Sequence, residues 1–446
     1  MRKMVLPARA STGTASRISS DRKAAGCPAS QPRAAKTAAG SGAAMRAAAC
    51  WIIRQCYLAQ HSGVEAPLHP GVGRTAAPAT AGATHGTTGG SAMTITLGRR
   101  WLLGAGVALP ALAAIPRQAQ ACSRALWNWP GLGVFIGRNM DWFEDTESNI
   151  WILPRGMERN GATPVNPLRW TSRYGSLVVT VYDNTNVDGV NEAGLAGHVL
   201  YLPDTSTGPR DPSKPGLAIG HWLTWFLDTC GSVAEAVERT RAEPFQLRMA
   251  VEPNSGMPGT LHIALNDKGG DSAIFECING RINIYHDRRY VVMTNQPTFD
   301  KQLENLGRFQ GFGGTERLPG THEAADRFVR AAYYVTHLPT PRSQREAVAS
   351  IMSVMRNVSA PFGVADRARP NIATTIWRSV NSLEQRTMYF DGVYSANVFW
   401  MNYGTFHYAP GSGVRKLTVV GNYDLIGDVG ARFTPATMFA GLPSNE

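Results

Sequence analysis

The triplet Ala119-Gln120-Ala121, standing directly before Cys122, divides this chain into a part that can fold and a part that cannot. It has the A-x-A form of a signal-peptidase site. Upstream lie the pair Arg99-Arg100 and an apolar run from Trp101 to Ile115, so residues 93–121 read as a complete export signal starting at Met93. Arg-Arg before Trp-Leu-Leu has the look of a twin-arginine signal. Gly98 stands where that signal usually has Ser or Thr, which leaves an ordinary secretory signal open. Residues 1–92 are rich in Ala, Gly, Ser, Thr and Arg without a periodic apolar face. They read as disordered and as an overlong start-site assignment. A cut after Ala121 would put a thiol and a free α-amine on one residue, a nucleophile beside its own base. Cysteine after a signal also anchors lipoproteins, but that signal usually carries Leu at the third position before it, where Ala119 stands.

The division also resolves the charge. The chain has 446 residues and a formal charge of +11, which suggests a nucleic-acid partner. Residues 1–121, however, hold 14 Lys and Arg against 2 Asp and Glu, and the other 325 residues hold 30 against 31. The basic excess belongs to the leader, and no nucleic-acid partner is expected. After residue 121 no apolar stretch is long enough to span a membrane. Three cysteines remain there, Cys122, Cys230 and Cys277. An odd number in an exported protein points to a reactive thiol, and a Cys230–Cys277 disulfide stays open.

Residues 122–446 read as one domain. Runs rich in β-branched and aromatic residues, bounded by Gly, Pro, Asn or Asp, predict strands at 132–136, 149–153, 176–182, 260–264, 273–276, 290–293, 374–378, 386–390 and 398–401. Helical spacing predicts helices over 217–227, 324–336 and 345–355, and Ser232-Val-Ala-Glu235 forms a capping box for a helix ending near Arg241. The stretches 204–215 and 309–320 read as surface loops. Strands, then helices, then strands is an α+β order with antiparallel sheets.

The thiol of an N-terminal cysteine titrates near ~8.5 and its amine near ~7.7–8, so close to neutral pH the amine can take the thiol proton. Cationic groups and an oxyanion hole complete an acyl-transfer site. Gly137-Arg138-Asn139-Met140-Asp141 supplies a candidate cation in Arg138 and a carboxylate in Asp141. The pair reads equally well as a surface ion pair. Trp142 reads evenly as pocket wall or core, while Trp127, Trp129, Trp151 and Trp170 read as core. No histidine falls at a metal-ligand spacing, and no Walker loop or dinucleotide fingerprint occurs, so no metal and no cofactor are expected.

Cys122 with the 137–141 block resembles the opening of the choloylglycine hydrolase family, N-terminal-nucleophile amidases that include bile salt hydrolases and penicillin V acylases. Three more blocks resemble that family in order: Asp188-Gly189-Val190-Asn191-Glu192-Ala193-Gly194-Leu195, Met293-Thr294-Asn295-Gln296-Pro297-Thr298-Phe299-Asp300, and Asp326-Arg327-Phe328-Val329-Arg330. The resemblance implies a four-layer αββα sandwich, commonly a homotetramer, acting on a small-molecule acyl amide. It implies Cys122 as nucleophile and, through its amine, base. Arg138 would lie beside the sulfur and Asp141 would hold the amine. Asn295 and the backbone N–H of Tyr201 would donate to the oxyanion, and Arg327 would support the group electrostatically. Tyr201, Trp142 and the export signal resemble the Gram-negative branch. The expected substrate is therefore like penicillin V or an N-acyl homoserine lactone, in the periplasm or outside the cell. A bile salt hydrolase and a non-catalytic lipid-anchored binding protein are the alternative readings.

Overall fold

The computed structural model describes residues 122–251, 256, 258–309, 317–363 and 373–445. The expectations for residues 1–121 and for part of the 309–320 loop lie outside them.

Among the described residues two antiparallel sheets stack face to face between helices. The first sheet is built from β1 (Ser123–Trp129) and β2 (Gly133–Trp142), while the second takes β3 (Ile150–Leu153), β4 (Ser176–Val181), β5 (Thr185–Asn191), β6 (Leu195–Tyr201), β7 (Leu261–Asp267), β8 (Ser272–Ile278) and β9 (Arg281–His286). The chain then returns to the first sheet with β10 (Val292–Thr294), β11 (Thr374–Ser382), β12 (Thr387–Gly392) and β13 (Val398–Asn402). Spatial order in the first sheet is β10-β1-β2-β11-β12-β13, and in the second β9-β8-β7-β6-β5-β4-β3, with short strands at the β13 and β3 edges. Residues of the central strands are mostly buried, because each sheet has a helical layer on one face and the other sheet on its second, while the edge strands β9 and β13 are more open.

Helices α1 (Trp222–Thr229) and α2 (Val233–Arg241) cover the second sheet. After α3 (Phe299–Leu306), helices α4 (Ala324–Thr336) and α5 (Gln344–Asn357) cover the first. This is the four-layer αββα sandwich that the sequence predicts. The Ser232 cap forms, with Glu235 N donating to the Ser232 side chain at the head of α2, while Glu235 Oε2 accepts from the Gly231 N–H rather than from Ser232. The helix expected over 217–227 is shorter. Gly216–Ala218 instead pairs in parallel with Gln246–Arg248, and α1 begins at Trp222 after a 3-10 turn.

The second sequence block serves this packing. Asn191 Nδ2 donates to the carbonyls of Leu227 and Cys230 at the end of α1. Its Oδ1 accepts from the Ala193 and Leu195 N–H groups and so shapes the β5–β6 hairpin. Gly194 closes that turn at φ +94°, a conformation that favours glycine. Cys230 and Cys277 are free and buried, and burial pushes each thiol up to about 11.

Candidate active site

Strand alternation makes β2 the spine of the site. On the helix-facing side Gly137 lies under Met355 of α5, Asn139 Nδ2 donates to the Met355 carbonyl at 2.8 Å, and Asp141 faces α4. On the opposite side Arg138, Met140 and Trp142 border a cavity between the sheets. One short block thus supplies both the packing and the polar groups.

Cys122, 2% exposed, sits at the head of β1. Its thiol lies 3.7 Å from the Asp141 carbonyl and 3.9 Å from Met140 Sδ. Arg138 Nη2 reaches the same Met140 sulfur at 3.4 Å and donates to the Val199 carbonyl at 2.6 Å, while its guanidinium lies 4.7 Å from the centre of the Trp377 ring. Burial pushes the thiol up. Arg138 and Arg327, with a hydrogen bond from the Asp141 backbone, pull it down, and the Asp141 charge opposes them.

Arg327, wholly buried on α4, ties the parts together. Its Nη1 donates to the Cys122 carbonyl at 2.6 Å and to Ser123 Oγ, its Nη2 to Asn295 Oδ1 at 3.2 Å, and Nη1 lies 3.6 Å from Asp141 Oδ2. Asp141 Oδ1 accepts from Thr375 Oγ1 at 2.6 Å, while Oδ2 is buried without a hydrogen-bond partner. Burial pushes this carboxyl up to about 6, against the pull of Arg327 and Thr375. Asn295 follows β10. Its Oδ1 accepts from the Cys122 backbone nitrogen and its Nδ2 donates to the Tyr201 carbonyl at 2.9 Å.

The second sheet contributes through a gap in pairing. Leu202 N donates to Thr260 O, so alternate residues of β6 turn their backbone groups toward β7. Val199 and Tyr201 turn theirs the other way. There β5 pairs with β6 only through Asp188, Gly189 and Val190. The freed carbonyls are the two that hold Arg138 and Asn295, and the Tyr201 N–H faces the same gap.

The cavity lies beside Cys122. Its wall is mostly apolar, with Met140, Trp142, Val187, Tyr201 and Ile219 among the residues that line it. Trp142 lines the cavity and is partly buried against the core; it meets the Tyr201 ring edge-on at 6.1 Å and stacks on Phe143 at 5.3 Å. Trp127 and Trp151 are core, while Trp129 and Trp170 are partly buried against it.

All seven residues singled out from the sequence therefore converge. In the uncut chain the Cys122 backbone nitrogen donates to Asn295 Oδ1. The sequence reading missed Thr375 and the Val199 carbonyl. Thr375 lies opposite Asp141 in the β2–β11 register, and knowledge of that pairing would have revealed it.

Residues 122–407 match the profile of the linear amide C–N hydrolases, choloylglycine hydrolase family. Among curated relatives, penicillin V acylase of Pectobacterium atrosepticum is 38% identical over 329 residues, 68% of this chain and 88% of that protein. The bile salt hydrolase/transferase of Clostridium perfringens is 25% identical over 294 residues, 60% of this chain and 87% of that protein. The solved structure of penicillin V acylase from Agrobacterium tumefaciens superposes with a TM-score of 0.67 at 39% identity, covering 72% of this chain and all of that one. The chain belongs to the choloylglycine hydrolase family and is a hydrolase of linear amide C–N bonds.

Proposed function

We propose that this protein is an exported acylase whose mature chain begins at Cys122 and whose acyl-enzyme forms on the Cys122 sulfur. The observation that carries the reading is the set of groups around that residue. Asp141 Oδ2, buried without a hydrogen-bond partner, and Asn295 Oδ1, already accepting from the Cys122 nitrogen, suit an α-ammonium freed by cleavage. The family match beginning at residue 122 supports the same start. In this reading the α-amine takes the thiol proton and the thiolate, favoured by Arg138 and Arg327, attacks the amide carbonyl. The oxyanion receives the Tyr201 N–H and an Asn295 Nδ2 proton. The protonated amine then passes its proton to the departing nitrogen. Water, activated by the same amine, releases the acid.

The apolar cavity beside the thiol suits an aryl or aliphatic acyl group, with Trp142 as a flat wall. Substrates of this type include penicillin V and long-chain N-acyl homoserine lactones. We place the enzyme in the periplasm or outside the cell, with residues 93–121 as the signal, and read it as a homotetramer, testable by light scattering. The functional test is Cys122→Ala in correctly processed protein, assayed on penicillin V, an acyl homoserine lactone and glycocholate. The expected outcome is loss of turnover by at least about 10³-fold, with the first two substrates preferred by the unmutated enzyme. Undiminished turnover in the variant would refute the assignment.

A further inference from the structure

The family profile ends at residue 407, yet part of the cavity wall comes from beyond it. Leu442 lines the cavity and is 6% exposed. Beside it are Ile219 and Gly220 of the turn before α1, and a Cβ added to Gly220 would stand 3.2 Å from Leu442 Cβ. None of these carries a polar group of the reacting centre.

The chain is built to put Leu442 there. Gly441 has φ +80°, and a Cβ on it would fall 2.3 Å from His221 Cε1, so neither the conformation nor the space admits a side chain. Two residues after Leu442, Ser444 N donates to the Ala162 carbonyl at 2.9 Å, and Ser444 bridges antiparallel to Ala250. Asn445 N donates to the Met249 carbonyl at 3.2 Å. On the other side Phe439 meets Trp151 edge-on at 5.2 Å. Leu442 is thus anchored before and after, as a fixed wall.

We propose that Leu442 is a specificity-determining residue, setting the length of acyl chain that the cavity accepts. The inference rests on reading the cavity as the acyl site. A larger side chain here shortens the space for the acyl group and a smaller one lengthens it. Removal or addition of apolar contact in such a pocket alters discrimination by about tenfold or more.

The test uses processed enzyme with a series of N-acyl homoserine lactones from short to long, and the matching fatty acids as non-reacting ligands followed by tryptophan fluorescence. Leu442→Phe is expected to lower the long-over-short ratio of kcat/KM about tenfold, and Leu442→Ala to raise it about tenfold. Fatty-acid affinities should move in the same directions. Thermal unfolding checks both variants, and Leu442→Phe decides alone if Leu442→Ala fails to fold. Native variants with an unchanged ratio overturn the role of Leu442 and leave the acylase reading standing. An enzyme that cleaves neither a member of the series nor penicillin V, yet binds fatty acids with a length preference that follows residue 442, overturns the acylase reading and upholds the role of Leu442.

Discussion

At the scale of single residues, the site is a contest between burial and charge around one sulfur. Burial raises the Cys122 thiol, and Arg138 is the largest influence opposing it. Arg138→Gln should therefore move the rising limb of the pH–rate profile upward. A profile that stays in place would remove Arg138 from thiolate stabilisation. Asp141 makes a second prediction, for uncut chain. Its folded pKa, about 6, lies above the ordinary 3.8, so its contribution to stability is present below the lower value and lost as pH rises through the higher. Uncut protein should lose about 2 kcal/mol of unfolding free energy between pH 4 and 7 from this group. Urea unfolding across that range should show the loss, and Asp141→Asn should abolish it. An equal loss in the variant would contradict the burial argument. Arg138, Asp141, Asn295 and Arg327 were legible in the sequence, since each sits in a short block whose residue types and order are specific. Thr375 and the Val199 carbonyl were not. Their roles come from strand register and from an unpaired stretch of β6, and neither leaves a residue-type signature.

At the scale of elements, close approach explains Gly137 and Gly189 of the blocks. A Cβ on Gly189 would fall 2.8 Å from the Leu177 carbonyl and 3.1 Å from Leu227 of α1. Gly189→Ala should cost roughly 1–3 kcal/mol in chemical denaturation, because backbone and helix must both give way. A neutral result would mean that the two sheet strands and α1 are not packed as described. The Ser232 cap on α2 is a milder case, and its replacement by Ala should cost about 1 kcal/mol. The α4 and α5 helices were legible because their apolar spacing is regular and long. The start of α1 was misread: Leu217, apolar and in phase with the helix, is held in a parallel pair with Leu247. Strands β1, β5 and β6 escaped the pattern because they are buried on both faces and carry Arg, Asn, Asp and His among their apolar residues. Polar groups in a buried strand mark a site and at the same time break the alternation by which strands are recognised.

At the scale of the whole molecule, two sheets and a helix meet at one sulfur. Cys122 and Asn295 come from strand ends of the first sheet, Tyr201 from the second, and Arg327 from the layer above. The order of strands and helices made the layers legible. The edge-on meeting of Tyr201 with Trp142 was not, since residues about sixty positions apart meet only through sheet stacking. The central claim is that the Cys122 nitrogen must be a free amine for the thiol to act. The most direct measurement compares protein beginning at Cys122, verified by intact mass, with the same protein retaining Ala121, both assayed on penicillin V. The retained residue should reduce kcat/KM by at least about 10²-fold, the scale of one lost general base, while the thermal unfolding midpoint stays comparable. Equal turnover by the two proteins would contradict the account.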